Sequence, residues 1–135
     1  MNKKEFNVQK KRVLAAYHKW KPLLKLDNWK ITLEILDEEE SPQTEYPRGE
    51  LRVVDSRLEA VMKNYADPYY LDAGITVYAP TLESYSDEDI EEFVLHELMH
   101  IILSPLFPNK KNSQEESVAT LLARSFLQVE TSLCR

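Results

Sequence analysis

The sequence predicts an α+β domain, built as an N-terminal helix, a small mostly antiparallel sheet and two closing helices. Three observations predict it. Phe6, Val13, Tyr17, Trp20 and Leu24 recur at helical spacing. Short segments with the alternation of strands follow, each bounded by turn residues. The last third then returns to helical spacing. A chain of 135 residues, 43% hydrophobic and 30% charged, is long enough for one core. A single domain over residues 1–135 is therefore expected, with no linker or internal repeat.

In the first helix Pro22 marks an end or a kink. The lysines on its other face read as a solvated surface, and His18 as an exposed or capping histidine. Trp29 to Ile35 alternates apolar and polar, the period of a strand. The acidic run Asp37-Glu38-Glu39-Glu40 before Ser41-Pro42 reads as a solvated loop. Gly49 to Val54 and Leu58 to Met62 read as two more strands, and Tyr65 to Leu71, which contains Pro68, as a loop. Gly74 to Ala79 is a fourth strand ended by Pro80. Its place just before the next helix makes it a candidate sheet edge, either open to an added peptide strand or capped.

That helix starts at Ser86, an N-cap followed by Asp87-Glu88-Asp89 in the first turn. Ile90, Val94, Leu98 and Ile101 form its apolar stripe, and Pro105 stops it. It carries His96-Glu97-Leu98-Met99-His100, which holds two of the chain's three histidines. Four residues exceed one helical turn slightly, so both imidazoles leave the same face. Such a pair can bind one Zn²⁺, and Glu97 can then reach a water on the open side of the metal. The bland alternative is a pair of buried or capping histidines near a helix C-terminus.

A catalytic zinc needs a third protein ligand and an open position. Leu103 and Leu106 stand where the extended H-E-x-x-H-x-x-G-x-x-H pattern needs its glycine and last histidine. The remaining choice is a carboxylate from the segment Ser113 to Thr120. Glu116 is favoured, because it shares a face with Ala119 and Ala123, whose small side chains allow two helices to approach closely. Thr120, one turn on, can support a ligand. Glu115 stays open as an alternative ligand. So does a capping role for either glutamate, through Asn112-x-x-Glu115 or Ser113-x-x-Glu116.

His96-Glu97-Leu98-Met99-His100, a short linker and Glu116-x-x-Ala119-Thr120-x-x-Ala123 resemble the gluzincin arrangement. The spacing of the second helix is similar to the E-x-x-A-N motif of ImmA/IrrE-type metallopeptidases, with Thr120 in place of the Asn. Size and element order resemble small phage- and prophage-encoded zinc metallopeptidases. The motif likeness covers residues 90–127; upstream it is one of element order. It implies a minimal zincin-like fold with an active-site helix and a C-terminal ligand helix. It also implies Zn²⁺ as cofactor and a peptide or protein as substrate.

The expected chemistry is zinc-dependent hydrolysis of a peptide bond, with His96, His100 and Glu116 on the metal and Glu97 as general base. Tyr65, Tyr69, Tyr70, Tyr78 and Tyr85 are all candidates for an oxyanion donor, and each also fits a packing or surface role. Two other classes fit the same residues. One is hydrolysis of a non-peptide amide, such as a cell-wall amide. The other is a non-catalytic binding protein whose zinc staples two helices.

The net charge of −6 argues against nucleic acid as partner. No apolar run approaches a membrane span, and no secretory leader follows the basic start, so a cytoplasmic location without membrane contact is expected. The single cysteine, Cys134, has no internal partner for a disulfide, which suits a reducing compartment. The sequence sets no oligomeric state.

Overall fold

The computed structural model describes residues 2–37, 43–45, 51–53, 62–107 and 113–133. Helix α1 spans Lys3–Leu23. Strands β1 (Lys30–Leu36), β2 (Gln43–Glu45), β3 (Leu51–Val53), β4 (Met62–Asp67) and β5 (Asp72–Tyr78) follow. A 3₁₀ helix, Ala79–Ser84, leads into α2 (Asp87–Leu103), and α3 (Ser113–Leu133) closes the described chain. The class is α+β, as the patterning predicts. The expected strand residues 58–61, Gly49, the acidic residues 38–40, Cys134 and the side chains of Asn112 and Ser113 lie outside the described residues.

The sheet corrects the expectation of a mostly antiparallel arrangement. Its order is β1-β5-β4, with β1 parallel to β5 and β4 antiparallel to it. The tight turn 68–71 forces the antiparallel pairing of β4 with β5. Residues 37–71 separate β1 from β5, ample for the crossover that a parallel pair needs. A separate antiparallel pair joins β2 and β3. The segment 74–79 is not an edge, because β5 is the central strand. Its near-continuous burial from Ala73 to Val77 is that of a strand covered on both faces. The expected loop 65–71 is likewise shortened, since residues 65–67 continue β4 before Pro68 ends it. Pairing with β5 overrides the local turn signal there.

One face of the sheet meets the helices. Met62, Ala73, Ile75 and Val77 join a buried cluster with Val13, Tyr17 and Trp20 of α1 and Ile90, Val94, Leu98 and Ile101 of α2. Helix α2 is the hub, packed against α1, α3 and β4. Residues 93–101 of α2 are buried without a break, so this helix is covered on all sides. Three of those residues are polar, and they are His96, Glu97 and His100.

Capping and ion pairs fix where α2 lies. Ser86 and Asp89 form a reciprocal capping box at its N-terminus. Arg12 of α1 donates to Asp87 at 2.6 Å and to the Tyr85 carbonyl at 2.5 Å, tying the entry of α2 to α1. Further along, Lys19 bridges Glu91 of α2 at 2.7 Å and Glu130 of α3 at 2.6 Å. The Trp20 indole also donates to Glu91, at 2.8 Å. Helix α1 ends with Lys25 in the left-handed region at φ 59°. There Leu26 N–H donates to the Lys21 carbonyl and Lys25 N–H to that of Pro22, the paired bonds of a Schellman end. No described helix is long and apolar enough to cross a membrane.

Candidate metal centre

His96 and His100 project from one face of α2 with their rings 4.8 Å apart. Their Nε2 atoms converge to 3.1 Å. Glu116, in the first turn of α3, closes the group: Oε2 lies 3.1 Å from His96 Nε2 and Oε1 lies 3.0 Å from His100 Nε2. Ala119 and Ala123, both at 0% exposure, belong to the buried cluster on the side of α3 that packs against the core. The small-residue face read from the sequence is thus what lets Glu116 reach the histidines.

The donor set fits a metal ion. Donor atoms of a tetrahedral zinc site are roughly 3.3 Å apart, given bonds of about 2.0–2.1 Å. Here the two Nε2 atoms lie 3.1 Å apart and each meets one oxygen of the Glu116 carboxylate at 3.0–3.1 Å, close to that spacing. The outer ring nitrogens are also engaged. His100 Nδ1 donates to Glu115 Oε1 at 2.8 Å. Thr120 Oγ1 lies 3.4 Å from His96 Nδ1 and can accept from it. Both contacts favour the tautomer that presents Nε2 to a metal. His96, His100 and Glu116 therefore form a group that can hold a metal ion. The Glu116 side chain remains 46% exposed, so one side of the group faces solvent.

The electrostatics match this geometry. Burial alone would lower the His100 pKa, but hydrogen bonds to Glu115 and Glu116 and the nearby carboxylate charges raise it to about 10. Hydrogen bonds from His100 and His96 hold Glu116 well below the ordinary carboxylate range, against a smaller opposing effect of burial.

Glu97 lies one step round α2 and is 3% exposed. Burial pushes its pKa up, against the charges of His96 and His100 and a hydrogen bond from Asn64, which lower it. Asn64 Nδ2 donates to Glu97 Oε2. Sequence reasoning missed Asn64. A signal was present in the alternation of Met62, Asn64 and Ala66, which puts an amide among the helix-facing positions of a strand.

None of the five candidate tyrosines is among the residues that form the group. Tyr65 and Tyr78 sit at strand positions of opposite parity to Asn64 and Val77, on the other face of the sheet. Tyr69 and Tyr70 meet edge-on in the turn after β4 at 85% and 76% exposure. The Tyr85 ring packs edge-on against Phe93. His18 is exposed on α1, with its ring against Tyr17. No family model, no curated protein and no solved structure matches the chain.

Proposed function

We propose that this chain is a gluzincin-like zinc metallopeptidase that hydrolyses peptide bonds with Glu97 as general base. The observation that carries the proposal is the convergence of His96 Nε2, His100 Nε2 and the Glu116 carboxylate within 3.0–3.1 Å of one another, with Glu97 buried on the same helix. A site whose role is only to staple two helices usually closes its fourth position and has no use for a base.

His96, His100 and Glu116 would hold the metal. A zinc ion there would supply an acidified water and a Lewis acid for the carbonyl. Glu97 takes the proton of the attacking water and passes it to the departing amine. Its raised pKa suits both halves of that exchange, because a strongly acidic carboxylate accepts protons poorly. Glu115 and Thr120 keep the imidazoles in register while the charge at the centre changes.

Zinc content of the purified protein beside Glu116→Ala, followed by a quenched-fluorescence peptide library with Glu97→Gln as control, tests the reading. Near-stoichiometric zinc in the unsubstituted protein, lost in Glu116→Ala, is the expected result, with cleavage abolished by Glu97→Gln at unchanged zinc. Absence of zinc after supply at neutral pH would overturn it. Cleavage of a cell-wall amide panel but no peptide would keep the metal chemistry and change the substrate class.

A further inference from the structure

We infer that Asn64 is a positioning residue for Glu97, fixing one oxygen of the carboxylate so that the other is left to accept the water proton. The inference rests on the metallopeptidase reading above and deepens it. Asn64 belongs to β4, while Glu97 and the three metal-binding residues belong to the two helices. The structure therefore brings a third element to the site.

The placement of Asn64 is unusual for its strand. Cross-strand register aligns Asn64 with Ile75 and Ile75 with Leu33; Ile75 belongs to the buried cluster and Leu33 packs against it. Its neighbours on that side of β4 are Met62 and Ala66. An amide in an apolar row costs free energy unless it is hydrogen-bonded. Its partner is Glu97 Oε2. The Glu97 side chain carries a terminal torsion with a broad energy profile, so a single donor decides how the carboxylate is turned.

The chemistry of the donor matters too. A lysine or arginine there would pair with the carboxylate and depress its pKa, which weakens a base. An amide orients the oxygen without adding charge and without a proton to give up. That combination suits a group that must take a proton and then release it.

The test uses cobalt(II) in place of zinc and acetohydroxamate as the probe, with binding read from the visible absorption of the metal. A hydroxamic acid binds metal as its anion, and a carboxylate beside the metal strengthens that binding by taking up the proton it releases. Cobalt uptake should be equal in the unsubstituted protein, Asn64→Ala, Asn64→Asp, Glu97→Ala and the Asn64→Ala/Glu97→Ala pair. Asn64→Ala should weaken hydroxamate binding roughly tenfold, the size of one lost hydrogen bond to a charged group. Asn64→Asp keeps the shape, removes the donor and should lose at least as much. In the Glu97→Ala background the Asn64→Ala change should cost less than about twofold, because its partner is gone.

Equal losses in both backgrounds, or no loss in either, would overturn the inference. So would loss of cobalt uptake in both Asn64 variants, which would make the residue a support of the ligands instead. Failure of the unsubstituted protein to take up cobalt is a different outcome, visible before any hydroxamate is added. It overturns the metal reading and the role of Asn64 with it.

Discussion

His100 Nδ1 donates to Glu115 Oε1 at 2.8 Å, while the neighbouring Glu116 meets the Nε2 side of the same ring at 3.0 Å. Adjacent residues on a helix point about 100° apart, so one imidazole is gripped from both of its nitrogens by consecutive glutamates. On the proposed reading the two carboxylates therefore have different chemical roles. Glu116 stands where a metal would bind, and Glu115 orients the ring that would bind it.

Those roles predict different losses. Glu115→Ala should weaken zinc affinity about 10- to 100-fold, the usual effect of removing a partner behind a ligand. Glu116→Ala should lose stoichiometric zinc altogether. Glu115→Gln should fall between the unsubstituted protein and Glu115→Ala, because its amide oxygen still accepts from Nδ1. Competition against a chelating dye separates the three. Equal affinities for Glu115→Ala and the unsubstituted protein would show that His100 needs no such support.

The metal-free protein should have a stability profile set by the same cluster. The His100 pKa is raised from 6.5 to about 10, so its contribution is fully present below pH 6.5 and lost as pH rises towards 10. The Glu116 pKa is depressed below 4.5, so its contribution is present above that value and lost as acid protonates it in the folded state. Thermal midpoints measured in chelator should therefore fall across the alkaline range from pH 6.5 to 10. Zinc binding near neutral pH should also release a proton from His100, visible as a buffer-dependent heat. A profile flat through the alkaline window would mean that His100 does not hold its proton.

Much of the site was legible because helical periodicity is local. Ser86 caps α2, and Ile90, Val94, Leu98 and Ile101 are all buried, as their spacing implies. Glu116 was readable from Ala119 and Ala123, since small residues on a helix face report a close neighbour. Asn64 was hidden for the opposite reason. Its importance depends on which strand lies beside α2, and strand pairing is set by contacts far apart in sequence. The parallel pairing of β1 with β5 was concealed in the same way. Thr120 was readable as a support one turn after Glu116, but the contact of Glu115 with His100 Nδ1 required the rotation of α3 about its axis, which the sequence narrows to a face and does not fix.

The register that delivers Asn64 depends on a pair one step along the strand. Tyr65 lies opposite Gly74, and a Cβ at position 74 would overlap the Tyr65 ring. Gly74→Ala should therefore destabilise the protein by roughly 1–3 kcal/mol, the range for overpacking a filled site. Removing the ring should relieve the clash, so Gly74→Ala in a Tyr65→Ala background should cost little. Urea unfolding of the four proteins measures the coupling. Additive effects would show that the ring does not rest on the glycine.

Glu97 offers a prediction in which stability and chemistry move in opposite directions. Burial raises its pKa above 4.5, against the histidine charges and the Asn64 hydrogen bond. A carboxyl group whose folded pKa is raised favours folding at low pH and opposes it as pH rises through that pKa. Glu97→Gln keeps the shape, retains an oxygen that accepts from Asn64 and removes the buried charge. The metal-free variant should therefore be more stable than the unsubstituted protein near pH 7, by about 1 kcal/mol. The gain should shrink towards pH 4, where the unsubstituted carboxyl is neutral as well. With zinc supplied, the same variant should hold the metal and cleave nothing. Thermal unfolding in chelator at the two pH values measures the first part. A variant less stable at pH 7 would mean that the ionised carboxylate is held favourably by His96 and His100, and that the site is organised around its charge.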